Sequence, residues 1–201
     1  MTSLMVIFIL LLLVFVSHTA SKDAAVTDVL LKKLQQDLVP QGFNEESIRP
    51  DPRDRNAILI IVPDGLMRFE VSKSDLQPAG RTFLQTHIPG FAEILCDAQF
   101  RSSIDSIVVE GHTDQQRFGS TPEESQNNNL KLSQDRSMAV VKEALSDLTN
   151  RPNERACFLE KLSATGRGEQ DPEKTDEDSR RVIFKIRIKA NDETQIERKV
   201  L

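Results

Sequence analysis

Leu4 to Val16 is an unbroken apolar run, L-M-V-I-F-I-L-L-L-L-V-F-V, at the start of a 201-residue chain. No ionisable side chain except His18 appears before Lys22. Such a run has to be shielded from water, by a core or by lipid, and its place at the extreme N-terminus disfavours a core helix. Twenty helical residues rise about 30 Å, enough to cross the hydrocarbon core of a bilayer. Residues 1–20 therefore read as an uncleaved transmembrane anchor. The rival is a secretory signal peptide, but the segment ahead of the run has no Lys or Arg. Ser17-His18-Thr19-Ala20 is also a poor small-x-small cleavage site. No Cys follows the run, which excludes a lipoprotein anchor.

Residues 21–56 read as a helix followed by a linker. Val26, Val29, Leu30, Leu34 and Leu38 recur at helical spacing from Asp23 to Leu38, and Pro40 and Gly42 end the pattern. Asn44–Arg55 is charged and holds two prolines, which suggests an exposed linker. A globular pattern then runs over 57–190. Ala57–Val62 is a short apolar strand and Pro63-Asp64-Gly65 a turn. A helix opens at Ser74-Asp75 and runs to about Leu95, with a kink expected at Pro89-Gly90. Ile104–Glu110 is a strand, Leu132–Leu148 an amphipathic helix, Leu159–Thr165 a strand and Arg181–Ile188 an alternating final strand. The order β-α-β-α-β-β predicts an α+β domain, helices packed on a mixed sheet, behind an N-terminal transmembrane helix. Residues 191–201 read as a charged tail.

Composition removes some functions. A net charge of −5 argues against a nucleic-acid binder, and the lack of Trp and Tyr leaves only Phe as a stacking surface. There is no G-x-S-x-G, no H-E-x-x-H and no Cys–His pair placed as nucleophile and base, so an enzyme is not expected. Cys96 and Cys157 form no C-x-x-C unit. They are either two buried thiols or, in an oxidising compartment, one disulfide. Each precedes a strand, and if those strands run parallel the two ends share an edge and a bridge fits.

The chemistry gathers where Ile104–Glu110 runs into Gly111-His112-Thr113-Asp114. Asp114 falls just past the strand end, Arg136 in the first turns of the next helix, and Arg180-Arg181 at the head of the last strand. One acid and several guanidinium groups at one rim suit a zwitterion: the carboxylate for an ammonium, the guanidinium fork for a carboxylate. Glu110, His112 and Asp114 also alternate along one strand face, an arrangement that can ligate a metal, although no metal or other cofactor is expected.

Four blocks in this order resemble the OmpA-like peptidoglycan-binding domain shared by outer-membrane protein A, Pal lipoproteins and the flagellar stator protein MotB. They are Val109–Asp114 (V-E-G-H-T-D), Asn129–Arg136 (N-L-K-L-S-Q-D-R), Ala164–Glu169 with Pro172, and Arg180-Arg181-Val182. The resemblance implies that Asp114 pairs with the side-chain ammonium of diaminopimelate in the peptidoglycan stem and that Arg136 takes its carboxylate. Asn129 and Arg181 match positions lining the same pocket. Phe118–Asn128 lengthens the connection between the charged pair. Ser72 stands where many members have Gly, Ser137 where they have Ala, and Ser179 where they have Asn.

Met1–Phe8 resembles the middle of a MotB-type transmembrane segment, as also found in Zorya phage-defence systems. The resemblance implies a homodimeric, wall-gripping subunit of an ion-driven stator, single-pass in the bacterial inner membrane, with its C-terminal domain in the periplasm and a multi-span MotA-like partner. The ion-carrying Asp of that pattern would fall two residues before Met1. The expectation is thus a reading frame that starts upstream; the alternative is a passive tether between inner membrane and cell wall.

Overall fold

The computed structural model describes residues 2–70 and 72–189; within it, the side chains of 2–4 and 15–25 are left aside. The charged tail expected over 191–201 lies outside the described residues. The apolar run and the amphipathic pattern behind it form one helix, α1 (Thr2–Leu38). It ends in a 3-10 turn over Val39–Gln41, closed by Gly42 in the left-handed region at φ 100°. The expected anchor, residues 1–20, is the first half of α1 and lies partly outside the described side chains. Among the described residues no helix is long and apolar enough to cross a membrane.

The segment expected to be a linker is instead part of the sheet. After a 3-10 turn over Glu45–Ser47, β1 (Ile48–Asp51) pairs antiparallel with β2 (Asp54–Pro63). Proline is tolerated on an edge strand, where one side of the backbone has no partner, and β1 is the edge. A short α2 (Asp64–Met67) and α3 (Pro78–Leu95) lead to β3 (Ile104–Gly111). Proline heads α3 at its first position, so the helix starts four residues later than Ser74, and it continues through Pro89. α4 (Pro122–Asp147), α5 (Pro152–Lys161), β4 (Leu162–Gly166), α6 (Asp176–Ser179) and β5 (Arg181–Ile188) complete the chain. Leu159–Lys161, expected in the third strand, ends α5 instead. The sheet order is β1-β2-β5-β3-β4, antiparallel throughout except for β3 with β4.

Strand alternation sorts the side chains to two faces. Ile58, Ile60, Val62, Ile107, Val109, Val182, Phe184 and Ile186 share one buried cluster with Leu30, Leu34 and Leu38 of α1, Leu84, Ile88 and Phe91 of α3, Val140 and Ala144 of α4, and Phe158 of α5. Leu59, Ile61, Glu110, Ile183 and Lys185 face the other side, where the loop around Asp171 partly covers them. Gly111 and Gly166 let α4 sit directly on the β3–β4 ends: a Cβ on Gly111 would lie 2.2 Å from the Ser133 carbonyl oxygen. That contact fixes the height of the motif helix above Asp114.

Cys96, at the end of α3, and Cys157, in α5, are joined in a disulfide with Cα atoms 6.1 Å apart and 61 residues of separation. A loop of that length constrains the unfolded chain by about 4 kcal/mol in the chain-entropy treatment. Replacing both cysteines by serine should lower stability by about 3–4 kcal/mol, measured by urea unfolding. Equal unfolding midpoints for the two proteins would contradict this.

At the other end of α4, Asp147 carries a buried carboxylate oxygen with no hydrogen-bond partner. Burial, with the charge of Glu143 one turn back, pushes its carboxyl up to about 6. It also ends a helix, where the macrodipole disfavours negative charge. With the folded pKa above the unfolded one, the contribution to stability is full below about pH 4 and is lost as pH rises through about 6. Asp147→Asn should therefore stabilise the protein at pH 7.5 by about 1 kcal/mol, allowing for solvent screening of a half-exposed group. The gain should vanish near pH 4 in thermal melts.

Candidate functional site

Asp114, one turn past β3, and Arg136, in the second half of the motif block on α4, are brought together in a cavity of about 350 Å³. Asp64, Phe69, Ser72, Phe118, Asn129 and Arg180 complete most of its wall. Asp114 and Arg136 are only 9% and 6% exposed. The motif helix is held down by its own polar side chains. Ser133 Oγ accepts from Gly168 N at 2.8 Å, and Gln134 Oε1 accepts from Gly166 N at 2.7 Å. Asn129 Nδ2 donates to the Gln116 carbonyl and to Glu169 Oε2, both at 3.3 Å, tying the two rim loops to α4.

The guanidinium of Arg136 is a buried cation held by uncharged groups. Its Nε donates to the Lys73 carbonyl at 3.0 Å, and its Cζ lies 5.0 Å from the centre of the Phe69 ring. Among the described residues, no carboxylate oxygen comes within 4.0 Å of it. Burial depresses its pKa, and the more distant Asp64 and Asp114 partly oppose that. A desolvated cation in this state gains from any anion that reaches it. The loop that supplies Phe69 and Lys73 is pinned by a Phe69–Leu76 bridge and turns through two non-glycine residues in the left-handed region, Arg68 (φ 43°) and Ser72 (φ 56°). Ser72 thus adopts the conformation that the family's usual Gly accepts without strain.

Of the two arginines expected at the rim, one lines this cavity. Arg180, just before β5, donates from Nη1 to Asp114 Oδ2 at 2.6 Å and lies 3.6 Å from Asp64 Oδ2. The hydrogen bond to Asp114 raises its pKa. Arg181, expected in the pocket, starts the strand and registers opposite Pro63, so alternation turns it to the helix-free face. There its guanidinium donates to the carbonyls of Ser179 (3.1 Å) and Asp171 (2.9 Å), bracing the loop before β5. Arg180, not Arg181, is thus in the wall of this cavity.

Glu110, His112 and Asp114 do not converge either. Glu110 and His112 line a second cavity, of about 360 Å³, on the helix-free face, whereas Asp114 has left the strand and lines the first. Among the described residues no group of three His, Cys, Asp or Glu is placed to hold a metal ion. That second cavity is already neutralised from within, by Arg53 and Arg167 on Asp171 and by Lys185 on Asp51. Arg53 first, and then Arg167, hold the Asp171 carboxyl far below the usual carboxylate range. Asp64, Phe69 and Phe118 were not evident from the sequence as wall residues; Arg180 entered only as half of the Arg180-Arg181 pair expected at the rim, with Arg181 the one matched to the pocket.

Comparison with known proteins identifies the family and the fold. The sequence pattern of the OmpA family matches residues 68–182, which span the cavity from Phe69 to Arg180. No curated protein matches the chain. Among solved structures, a putative MotB-like protein from Desulfovibrio vulgaris superposes with a TM-score of 0.58 at 21% identity, over 86% of this chain and 98% of that one. The periplasmic domain of Helicobacter pylori MotB (residues 90–256) superposes with a TM-score of 0.52 at 17% identity, over 76% of this chain and 85% of that one. At these identities the likeness is one of fold. From its motif blocks, its five-stranded mixed sheet and the match over 68–182, the chain belongs to the OmpA family.

Proposed function

We propose that this protein binds peptidoglycan non-covalently, taking the zwitterionic end of diaminopimelate between Arg136 and Asp114. The observation that carries this reading is the buried Arg136 guanidinium, which has no carboxylate within 4.0 Å among the described residues and faces a cavity whose other wall is Asp114. The ligand's carboxylate would take the fork of Arg136, and its ammonium would join Arg180 on Asp114, whose two oxygens have lone pairs to spare. Nothing in this scheme breaks a bond, so the site acts by recognition. The test is cosedimentation with purified sacculi. Walls with diaminopimelate stems should pellet the protein; walls with lysine stems, which offer an ammonium but no carboxylate at that position, should not. Equal pelleting with both would overturn the assignment.

We further propose that α1 anchors this domain in the bacterial inner membrane, with the site on the periplasmic side. Met5–Val14 are 47–67% exposed along α1, ten apolar residues in a row with no protein cover in the described structure. Lipid or the helices of a membrane partner would remove that exposure from water. The MotB-like fold favours a stator subunit beside a multi-span partner; a passive tether needs no such partner. In-membrane crosslinking from α1 separates them, since only the stator reading yields a multi-span protein as adduct.

A further inference from the structure

The loop between β3 and α4 holds an apolar ring at the mouth of the cavity. Phe118 is 37% exposed and lines the cavity wall together with Leu132. Its backbone is fastened from both sides: its N–H donates to Ser125 Oγ at 2.8 Å, and its carbonyl accepts from Asn128 Nδ2 at 2.7 Å. The turn that follows is equally tied, with Ser120 N donating to Glu124 Oε2 at 2.7 Å and the Arg117 guanidinium donating to the carbonyls of Gly119 and Ser120. Gly119 packs so closely on α4 that a Cβ there would lie 2.9 Å from Ser125 N. An exposed phenylalanine on a free loop would need no explanation. One set at a cavity rim by hydrogen bonds at both its amide and its carbonyl is preorganised to cover something.

We propose that Phe118 is a specificity residue that covers the apolar surface of the stem peptide as it leaves the cavity, in particular the D-alanine methyl group beside diaminopimelate. This rests on the reading of the Asp114–Arg136 site above. The charged end of diaminopimelate is fixed deep in the cavity, so what emerges at the rim is its methylene chain and the adjoining residue. The methylene chain and the alanine methyl group are the apolar surfaces left for a ring at the mouth to cover. A rim that adds apolar burial to charge recognition distinguishes a stem peptide from a free diamino acid.

The test is calorimetry of the full chain in detergent micelles with three probes: free meso-diaminopimelate, the stem tetrapeptide ending in D-alanine, and the disaccharide tetrapeptide. The wild type should bind the tetrapeptide about tenfold more tightly than the free amino acid, the gain expected from covering part of a phenylalanine face. Phe118→Ala should erase that gain, costing the tetrapeptide about tenfold and free diaminopimelate clearly less; Phe118→Leu, still apolar, should keep most of it. An unchanged tetrapeptide affinity in Phe118→Ala, an equal loss for free diaminopimelate, or a loss confined to the disaccharide probe would each overturn the proposal. A wild type that binds none of the three overturns the reading of the site itself. Thermal melts of both variants, expected to match the wild type, check that the fold is intact.

Discussion

Arg136→Ala should abolish cosedimentation with diaminopimelate-type sacculi, and Asp114→Ala should do the same. Truncating one member of a buried charged contact costs about 2–5 kcal/mol, or about thirtyfold to several thousandfold in affinity. The two variants should differ in stability. Among the described residues, Arg136 is held only by the Lys73 carbonyl and the Phe69 face. Its loss removes a desolvated cation, so the folded protein should lose little. Asp114 is the hydrogen-bonded partner of Arg180, so its loss leaves that guanidinium, among the described residues, with only the longer contact to Asp64. A lower melting temperature is therefore expected for Asp114→Ala than for Arg136→Ala. Arg136→Lys should not rescue binding, because an ammonium cannot offer a carboxylate two parallel donors in the plane of the Phe69 contact. If both alanine variants pellet like the wild type, the cavity is not the wall-binding site.

A protein cut at residue 57 should not fold, although the sequence pattern places the start of the domain there. Leu30, Leu34, Leu38 and Ile48 are all 0% exposed and Phe43 is 5% exposed, every one of them in the shared core. Removing a fully buried side chain of this size costs about 2–5 kcal/mol. Five of them together come to about 10–25 kcal/mol, as large as or larger than the about 5–15 kcal/mol by which a domain is stable. The cut also strips β1 from β2 and leaves a strand rich in Ile and Leu as an open edge, a template for aggregation. We expect residues 57–201 to be aggregated or unfolded by circular dichroism and gel filtration, and residues 26–201 to be monodisperse and to melt cooperatively. A fragment 57–201 that melts as the longer one does would show that α1 and β1 are dispensable.

Segments whose neighbours in sequence are also their neighbours in space were the most legible. Ala57–Val62 and Arg181–Ile188 read as strands because runs and alternation of apolar residues are local, and both lie inside β2 and β5. β1 was missed because Pro50, Pro52 and the charges around them describe a solvent-exposed chain, and an edge strand is one. The start of α4 was placed ten residues late, at Leu132, for want of apolar periodicity. Yet Thr121-Pro122-Glu123-Glu124 was a legible start: Thr121 accepts from Glu124 N, proline takes the first position, and two acids sit in the first turn. At the site, Asp114 and Arg136 were readable because the motif blocks carry them. The choice between Arg180 and Arg181 was not, because which of two adjacent arginines enters a cavity depends on where the strand begins, and a shift of one residue exchanges their faces.

The disulfide has a mechanical side. Asp114, Phe118, Asn129 and Arg136 all lie between Cys96 and Cys157, inside one covalent ring. If the chain is stretched between its ends, the 61 residues of that ring can pay out no more than the 6.1 Å between the two Cα atoms, where an open chain would give about 200 Å. A pull on the two ends thus lengthens the segments outside the ring, α1, β1 and β5 among them, while Asp114 and Arg136 stay within one closed loop. A protease that nicks the ring at a single point leaves both pieces joined.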